Sequence, residues 1–262
     1  MKLLDFALPV VGFFGAYILS RVYMKGRPEP AILLSPALLI VIWTFVISGI
    51  VQAGIPLSAA WQYFWATTAV TSFFGCYIAF RGRHPDDILT ILLTPLLTTS
   101  VVMAPYLYHG LASFPGSWFW DGFAYIAMGE SLWLHPRHET AAGLELFYQF
   151  GHRSGQTRYI SAALISMLKG IFPLGGDAQS ATGYFLFLSI FTFSSSCFFL
   201  AKVTMPERRM MQIAFVTLAT VSGPLLNLVW ANNFDHLLAM SIAPIIIALA
   251  FILRWGSIID AV

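Results

Sequence analysis

The chain has 262 residues, of which 58% are hydrophobic and only 10% are charged, and its mean hydropathy is +0.76. A soluble domain carries roughly 25% charged residues, so the composition excludes a soluble enzyme, a disordered chain and a nucleic-acid binder with a basic face. The two cysteines, Cys76 and Cys197, lie inside apolar stretches and form neither a disulfide framework nor a metal-ligand spacing. The composition predicts a protein whose solvent is lipid.

Seven stretches of the sequence are long and apolar enough to be membrane spans. Crossing about 30 Å of hydrocarbon takes about 20 residues of helix. The stretches are residues 4–23, 31–53, 57–80, 88–108, 182–201, 210–230 and 237–253. They are continuous rather than alternating, which favours helices over a barrel. We therefore expect an all-α fold, with residues 1–262 forming a single transmembrane domain of about seven spans.

The charges predict how the bundle is oriented. Residues 4–23 resemble a signal peptide in length, but basic residues follow them instead of a cleavage site, so we interpret them as a retained helix. Nine of the 14 Lys and Arg residues fall in the connections on one side of the bundle. Such residues favour the cytoplasmic side. This predicts an outer N-terminus and a cytoplasmic C-terminus, and we expect a bacterial inner membrane.

The long connection at residues 109–181 then lies outside and concentrates the polar chemistry. It holds five of the twelve acidic residues and four of the six histidines. Two helical pieces are predicted in it. Residues 118–133 are rich in tryptophan and suit a helix lying along the membrane surface. Residues 157–172 carry an apolar stripe and Lys169, which favours an interfacial or re-entrant helix packed on the bundle.

Asp121 is the candidate catalytic residue of this loop. It follows three aromatic residues at the head of the first loop helix, and Tyr125 lies four residues on, on the same helix face. Glu130 is nine residues on and points to the opposite face, so the two carboxylates do not form an acid/base pair. The alternative interpretation of Asp121 is a helix N-cap, and the two roles are compatible.

Other polar residues are candidates for substrate binding. His152, Arg153 and Arg158 precede the second loop helix, and arginine suits bidentate binding of phosphate. A solvated loop or contact with lipid phosphates explains them equally well. Asp235 and His236 follow the sixth span on the same side as the long loop. They either approach the site or cap the next helix.

The segment from His135 to Glu139 resembles a metal-binding sequence at first sight. Pro136 disfavours a helix through it, and the order of His and Glu is not that of the zinc proteases. No metal ligands are assigned in the sequence. No glycine-rich phosphate loop, Cys/His cluster or nucleophile elbow occurs in it either.

The segment Trp120-Asp121-Gly122-Phe123-Ala124-Tyr125, with a second loop helix introduced by Arg158, resembles the GT-C superfamily of membrane glycosyltransferases. The later stretch from Gly223-Pro224 to Asn232-Asn233-Phe234 is similar to later spans of these proteins, and the resemblance covers about residues 116–253. The resemblance fits an N-terminal transmembrane module, either as a partial chain or as a smaller relative that needs a partner subunit.

The resemblance implies a function. It implies hexosyl or pentosyl transfer from a polyprenyl-phosphate-linked donor to a glycan, lipid or protein acceptor at the outer membrane face. Asp121 would be the general base on the acceptor hydroxyl, and Arg153 and Arg158 would bind the donor phosphate. No cofactor is certain, and a divalent metal is left open. Membrane lipids are expected partners, and nucleic acid is not.

The alternative function is that of a non-catalytic membrane scaffold or transporter subunit in an envelope-assembly complex. Transporters usually carry ionisable groups or broken helices at mid-membrane. The predicted spans contain Pro36, Pro95, Pro224 and Pro244, which are able to break helices, but almost no buried charge accompanies them. A scaffold is therefore favoured over a transporter.

Overall fold

The computed structural model describes residues 12–81, 85–109, 120–139, 144–154, 159–170, 178–230 and 233–254. Helices make up nearly all of these residues, and no strand occurs among them. The all-α prediction is therefore confirmed for this part of the chain.

Twelve α-helices follow a short 3-10 helix at Phe13–Ala16 in the described residues. In chain order they are α1 Tyr17–Tyr23, α2 Pro28–Gln52, α3 Leu57–Arg81, α4 Pro85–Val102, α5 Ala104–His109, α6 Trp120–Leu134, α7 Leu146–Ser154, α8 Ile160–Lys169, α9 Ala178–Thr204, α10 Arg209–Thr220, α11 Gly223–Trp230 and α12 Phe234–Arg254.

Proline and glycine set the first helix boundaries. Pro28 begins α2, where its missing N–H is not needed by the helix. Lys25 and Gly26 turn the chain between α1 and α2 with φ of 50° and 82°, and Gly54 has φ 71° just after α2. A glycine adopts this left-handed backbone without the cost that Lys25 bears. These turns make α1, α2 and α3 consecutive neighbours.

Two of the stretches predicted as single spans are interrupted. Residues 88–108 divide at Met103 into α4 and α5, and residues 210–230 divide into α10 and α11 with a bend of 42°. Gly223-Pro224 begins α11, and proline cannot supply the N–H that a continuous helix would use there. Residues 4–23 are described only from residue 12, where a 3-10 helix precedes the short α1. Helices nevertheless lie in all seven predicted stretches.

Fewer helices meet the requirements for a membrane span by length and composition. Three described helices do so, α2, α9 and α12, and the bent pair α10–α11 makes a fourth if it counts as one span. The helix α3 has 25 residues, but its Trp, Tyr, Thr and Ser residues lower its hydropathy. The described part of the chain therefore has three or four helices of membrane-spanning character.

The helix α9 is the centre of the bundle. It packs against α2, α4, α8, α10 and α12, and its residues 185–199 are almost all buried. The 3-10 helix packs chiefly between α3 and α2 and also touches α9. Phe13 stacks on Phe191 with ring centroids 4.3 Å apart, and a Cβ on Gly75 would lie 1.9 Å from the carbonyl oxygen of Phe14. Only glycine allows α3 to approach this backbone so closely.

The two ends of the bundle differ in their contacts. At one end Lys202 of α9 donates to Glu29 of α2. The opposite end, which we call the loop end, is where α6 and α8 contact Gln52, Trp61 and Asp235 near the ends of three bundle helices. The helices α6, α7 and α8 all belong to the loop between the fourth and fifth predicted spans.

The loop helices agree only in part with the predictions. The helix predicted at 118–133 is α6, Trp120–Leu134, and the one predicted at 157–172 is the shorter α8, Ile160–Lys169. All residues from 161 to 168 are buried, so α8 is enclosed on every face rather than along one stripe. Of its buried positions outside the predicted stripe, four are Ala or Ser, small enough to pack against neighbouring helices, and the fifth is Ile165. The helix α7 was not predicted.

Candidate functional site

Tyr125 and Asp235 meet at the loop end. The hydroxyl of Tyr125 donates to Oδ2 of Asp235 over 2.7 Å. Tyr125 is in the second turn of α6 and Asp235 in the first turn of α12. A carboxylate is favourable at this position because the helix N-terminus carries a partial positive charge. The bond joins a loop helix to a bundle helix across 110 residues of sequence.

Aromatic rings pack beside this part-buried hydrogen bond. The ring of Tyr125 lies 5.1 Å from that of Phe234, which in turn packs edge-on against Phe185 of α9 at 5.3 Å. Tyr125 is buried, and Phe234 is completely so. A charge-assisted bond in such surroundings is stronger than the same bond in water, so the pair is a fixed point of the loop end.

Asp121 lies in the first turn of α6, four residues before Tyr125. It is the second residue of α6, and the residues before this helix lie outside the described part of the chain. The same helix dipole that favours Asp235 favours a carboxylate here. The side chain of Asp121 lies outside what the structure describes. The backbone places the two acid-bearing segments, α6 and the start of α12, beside each other.

The predicted basic group is placed only in part. His152 is buried in α7, and Arg153 follows it in the same helix, although its side chain is not described. Arg158 lies outside the described residues. A Cβ on Gly151 would lie 2.1 Å from the carbonyl oxygen of Ala127, so α7 packs backbone against backbone on α6 beside His152.

His236 makes a local contact. Its Nδ1 lies 2.6 Å from Oδ1 of Asn233, the residue that precedes α12, and His236 is exposed. The two side chains close the start of the helix. Of the predicted pair, Asp235 therefore contacts the loop while His236 contacts its own helix start.

An ion pair that the sequence did not suggest lies on the other side of α6. Nζ of Lys169 bonds both carboxylate oxygens of Glu130, at 2.9 and 2.8 Å, and lies 5.2 Å from the ring centroid of Trp133. The two side chains are only 15% and 17% exposed. Tyr125 and Glu130 thus bind different helices. The opposite charges of Lys169 and Glu130 were visible in the sequence, but their separation of 39 residues gave no sign of the contact.

Tyr159 forms a second unpredicted junction. Its hydroxyl accepts from Nε2 of Gln52 over 2.7 Å and lies 2.9 Å from Oγ of Ser48. The guanidinium of Arg137 lies 4.4 Å above its ring, and Nε2 of His138 lies 3.2 Å from the carbonyl oxygen of Gln52. The end of α2, the start of α8 and the segment after α6 meet at this residue.

The metal-like segment after α6 makes local and packing contacts. Nδ1 of His135 lies 3.1 Å from Glu139, while His138 and Arg137 join the Tyr159 junction. No group of three His, Cys, Asp or Glu side chains suited to a metal occurs in the described part of the chain. The polar side chains described above lie at one end of the bundle and offer hydrogen-bonding groups and charges. The bond between Tyr125 and Asp235 is the contact on which the candidate site is built.

No family model matches this chain, and neither the curated proteins nor the solved structures contain a significant match to it.

Proposed function

We propose that the chain is a membrane glycosyltransferase of the GT-C type, which moves a sugar from a polyprenyl-phosphate-linked donor to an acceptor at the outer membrane face. The observation that carries the proposal is the bond between Tyr125 and Asp235. It draws the helix that contains Asp121 onto the end of a helix long enough to cross a membrane. A lipid-linked substrate and a carboxylate would meet at such a place.

In the proposed reaction the Asp121 carboxylate removes the proton of an acceptor hydroxyl. The acceptor oxygen attacks the anomeric carbon of the sugar, and the bond from that carbon to the phosphate oxygen breaks with its electron pair. Negative charge develops on the departing phosphate, where Arg153 and Arg158 are suited to stabilise it. The Tyr125–Asp235 bond holds the first turns of α6 in place.

The proposal includes a seven-span bundle with an outer N-terminus. The helices α3 and α4 support it, although α3 does not qualify as a span by hydropathy and the apolar part of α4 is too short to qualify. Each presents large apolar side chains outward. On α4 these form a straight stripe at intervals of four residues, Leu89, Leu93, Leu97 and Val101, and on α3 they include Tyr63, Val70, Phe73 and Tyr77. Surfaces of this kind suit contact with lipid chains.

The test is to replace Asp121 by Asn in the full chain. Membranes that contain the chain would be supplied with a panel of polyprenyl-phosphate hexoses and pentoses, and transfer of radiolabelled sugar would be measured. We expect Asp121→Asn to lower the rate by about 10²–10⁴-fold, the usual contribution of a general base. Glu145→Gln is the matched control, because Glu145 is an exposed carboxylate of the same loop.

Unchanged transfer by a well-inserted Asp121→Asn protein would overturn the assigned role of Asp121. An absence of transfer by the unaltered chain with every donor would favour the alternative, a non-catalytic scaffold or transporter subunit. The same assay with and without chelator determines whether a divalent metal takes part.

A further inference from the structure

Six cations lie in two turns at the end of the bundle opposite the loop end. They are Arg21, Lys25 and Arg27 around the turn between α1 and α2, and Lys202, Arg208 and Arg209 around the turn between α9 and α10. We call residues 21–29 and 202–209 the basic turns. The two turns meet where Lys202 donates to Glu29. Glu29 and Glu207 are the carboxylates of these ranges, so six positive charges stand against two negative ones.

Most of these cations have no acidic partner. Lys202 pairs with Glu29. The other five form no ion pair with any residue that the structure describes. Lys25, Arg208 and Arg209 are exposed, and Arg21 and Arg27 are partly so. Five positive charges are thus available to a ligand.

The local structure does not favour cations at these positions. Arg27 and Arg208 are the N-cap residues of α2 and α10, and Arg209 is the first residue of α10. The partial positive charge of a helix N-terminus disfavours a cation there. Lys25 has φ 50°, a left-handed backbone that glycine or asparagine adopts more readily. The bias of cations towards one side of a membrane explains their number but not these positions. An anion from outside the chain would compensate them.

The basic turns are held in shape by hydrogen bonds. The N–H of Gly26 donates to the carbonyl oxygen of Arg21 over 2.7 Å. In the other turn, Nε2 of the buried Gln212 donates to the carbonyl oxygens of Met205 and Pro206, at 2.7 and 3.1 Å. The cations are therefore carried on fixed backbone, which lowers the entropic cost of binding a ligand.

The length of the neighbouring helices places the basic turns level with lipid headgroups. The helices α2 and α9 are long and apolar enough to be spans, and Glu29 and Lys202 lie in their terminal turns at this end. The 25 residues of α2 extend about 38 Å, which exceeds a hydrocarbon core of about 30 Å. The ends of such a helix therefore reach the headgroup layer.

Exposed apolar side chains adjoin the cations in both turns. They are Val22 and Tyr23, next to Arg21, and Met210 and Met211, next to Arg209. A dissolved anion would contact only the cations. A phospholipid offers a phosphate to the cations and acyl chains to the apolar side chains, so it fits both parts of this surface.

We propose that the basic turns bind the headgroup of an anionic phospholipid in the leaflet at this end of the bundle. Arginine binds phosphate through two parallel hydrogen bonds, a role that suits Arg27 and Arg209. Lys25 adds positive charge between them and the apolar end of α1. Clusters of cations beside a membrane-spanning helix attract anionic lipids in this way. The proposal depends neither on sugar transfer nor on which side of the membrane is cytoplasmic.

The experiment measures thermal unfolding of the full chain in a neutral detergent with added lipid. Phosphatidylglycerol, phosphatidylcholine and inorganic phosphate would be added separately, at equal concentration and ionic strength. We expect phosphatidylglycerol to raise the Tm by several degrees, and the other two to raise it much less. The double variant Arg27→Gln, Arg209→Gln should lose most of this rise. Arg81→Gln is the matched control and should keep it, because Arg81 is a cation of the last turn of α3 that lies 6.0 Å from the ring of Tyr77.

Lys25→Asn separates lipid binding from a structural role of Lys25. Asparagine adopts the left-handed backbone more readily, so the Tm without lipid should not fall, while the rise with phosphatidylglycerol should become smaller. An equal rise with phosphatidylglycerol and phosphatidylcholine in the unaltered chain would overturn the proposal, as would a full rise in the double variant. An equal rise with inorganic phosphate would assign the turns to a soluble anion and also overturn it.

Discussion

The bundle and the loop layer, by which we mean the helices α6, α7 and α8 at the loop end, use their polar groups in different ways. In the bundle, many hydroxyls bond a carbonyl of their own helix, as Thr71 does with Thr67 and Ser100 does with Leu96. The bundle also has long-range bonds, such as those of Lys202 with Glu29 and Thr98 with Ser194. In the loop layer, the bonds that hold its helices to the bundle and to each other join segments far apart in sequence. Tyr125 with Asp235 and Lys169 with Glu130 are such bonds. The bundle is therefore specified chiefly by apolar packing, and the loop layer by particular pairs.

The difference follows from what each region must satisfy. A hydroxyl in an apolar bundle finds a nearby acceptor in its own helix, which contributes little to the choice of neighbours. A helix at the bundle end has water and headgroups available, so apolar burial alone does not fix its position. Defined partners such as Asp235 and Gln52 fix it instead. Changes to the pairs should therefore disturb the layer more than equivalent changes in the bundle.

The largest expected effect is that of Gly151→Ala. The new Cβ would lie 2.1 Å from the carbonyl oxygen of Ala127, and neither backbone has room to move without separating α6 from α7. Overpacking costs about 1–3 kcal/mol and occasionally more, and a contact this close to a backbone oxygen belongs at the upper end of that range. We expect a clear fall in Tm for thermal unfolding in detergent.

Gly49→Ala is the matched control for this substitution, because nothing lies within 4 Å of a Cβ at Gly49 in α2. Alanine has the better helix propensity, so this variant should be as stable as the original chain or slightly more so. Equal Tm values for the two variants would contradict the close packing of α6 and α7.

An intermediate effect is expected for Lys169→Met. This substitution leaves the Glu130 carboxylate without its cation. The site is largely buried, since the side chains of Lys169 and Glu130 are only 15% and 17% exposed. We expect a loss of about 2 kcal/mol, since removing one partner of a largely buried pair leaves an uncompensated charge. Thermal unfolding of Lys169→Met, Glu130→Gln and the double variant gives the coupling. A loss of unfolding free energy in the double variant equal to the sum of the two single losses would show that the two side chains do not interact.

The smallest effects separate long-range bonds from local ones. Tyr159→Phe removes the hydroxyl that joins Gln52 and Ser48 to α8, and should cost about 1 kcal/mol. Thr71→Ala removes a hydroxyl that bonds within its own helix on an exposed face, and should change stability by about 0.5 kcal/mol or less. A larger fall in Tm for Thr71→Ala than for Tyr159→Phe would contradict the distinction between local bonds in the bundle and long-range bonds in the loop layer.

The sequence was sufficient for the elements that depend on apolar content. Helices occur in every predicted stretch, and α6 begins within two residues of its predicted start. The interruption at Met103 was missed because an average over 20 residues does not register a local break. Pro224 was noted as able to break a helix, but residues 210–230 were still predicted as one span. The helix α7 was missed because nine residues are too few for a strong pattern, although Leu146, Phe147 and Phe150 already formed one.

The site was less accessible to sequence reasoning. Tyr125 and Asp235 were both selected, and both were placed on the outer side, but the sequence does not state which residues meet across 110 positions. Glu130 was considered only in relation to Asp121, and its partner Lys169 was noted for its charge alone. Pairing at a distance depends on how helices pack, and helix packing depends on close approaches such as that of Gly151 to Ala127.

The order of synthesis gives the Tyr125–Asp235 bond a further consequence. The ribosome completes α6 about one hundred residues before it adds Asp235, so the hydroxyl of Tyr125 waits for its acceptor while α9, α10 and α11 are made. The loop layer therefore gains its last long-range hydrogen bond only when the last described helix is in place. A nascent chain that stops before residue 234 would hold α6 by the earlier contacts alone, such as those of Glu130 with Lys169 and Trp133 with Trp61.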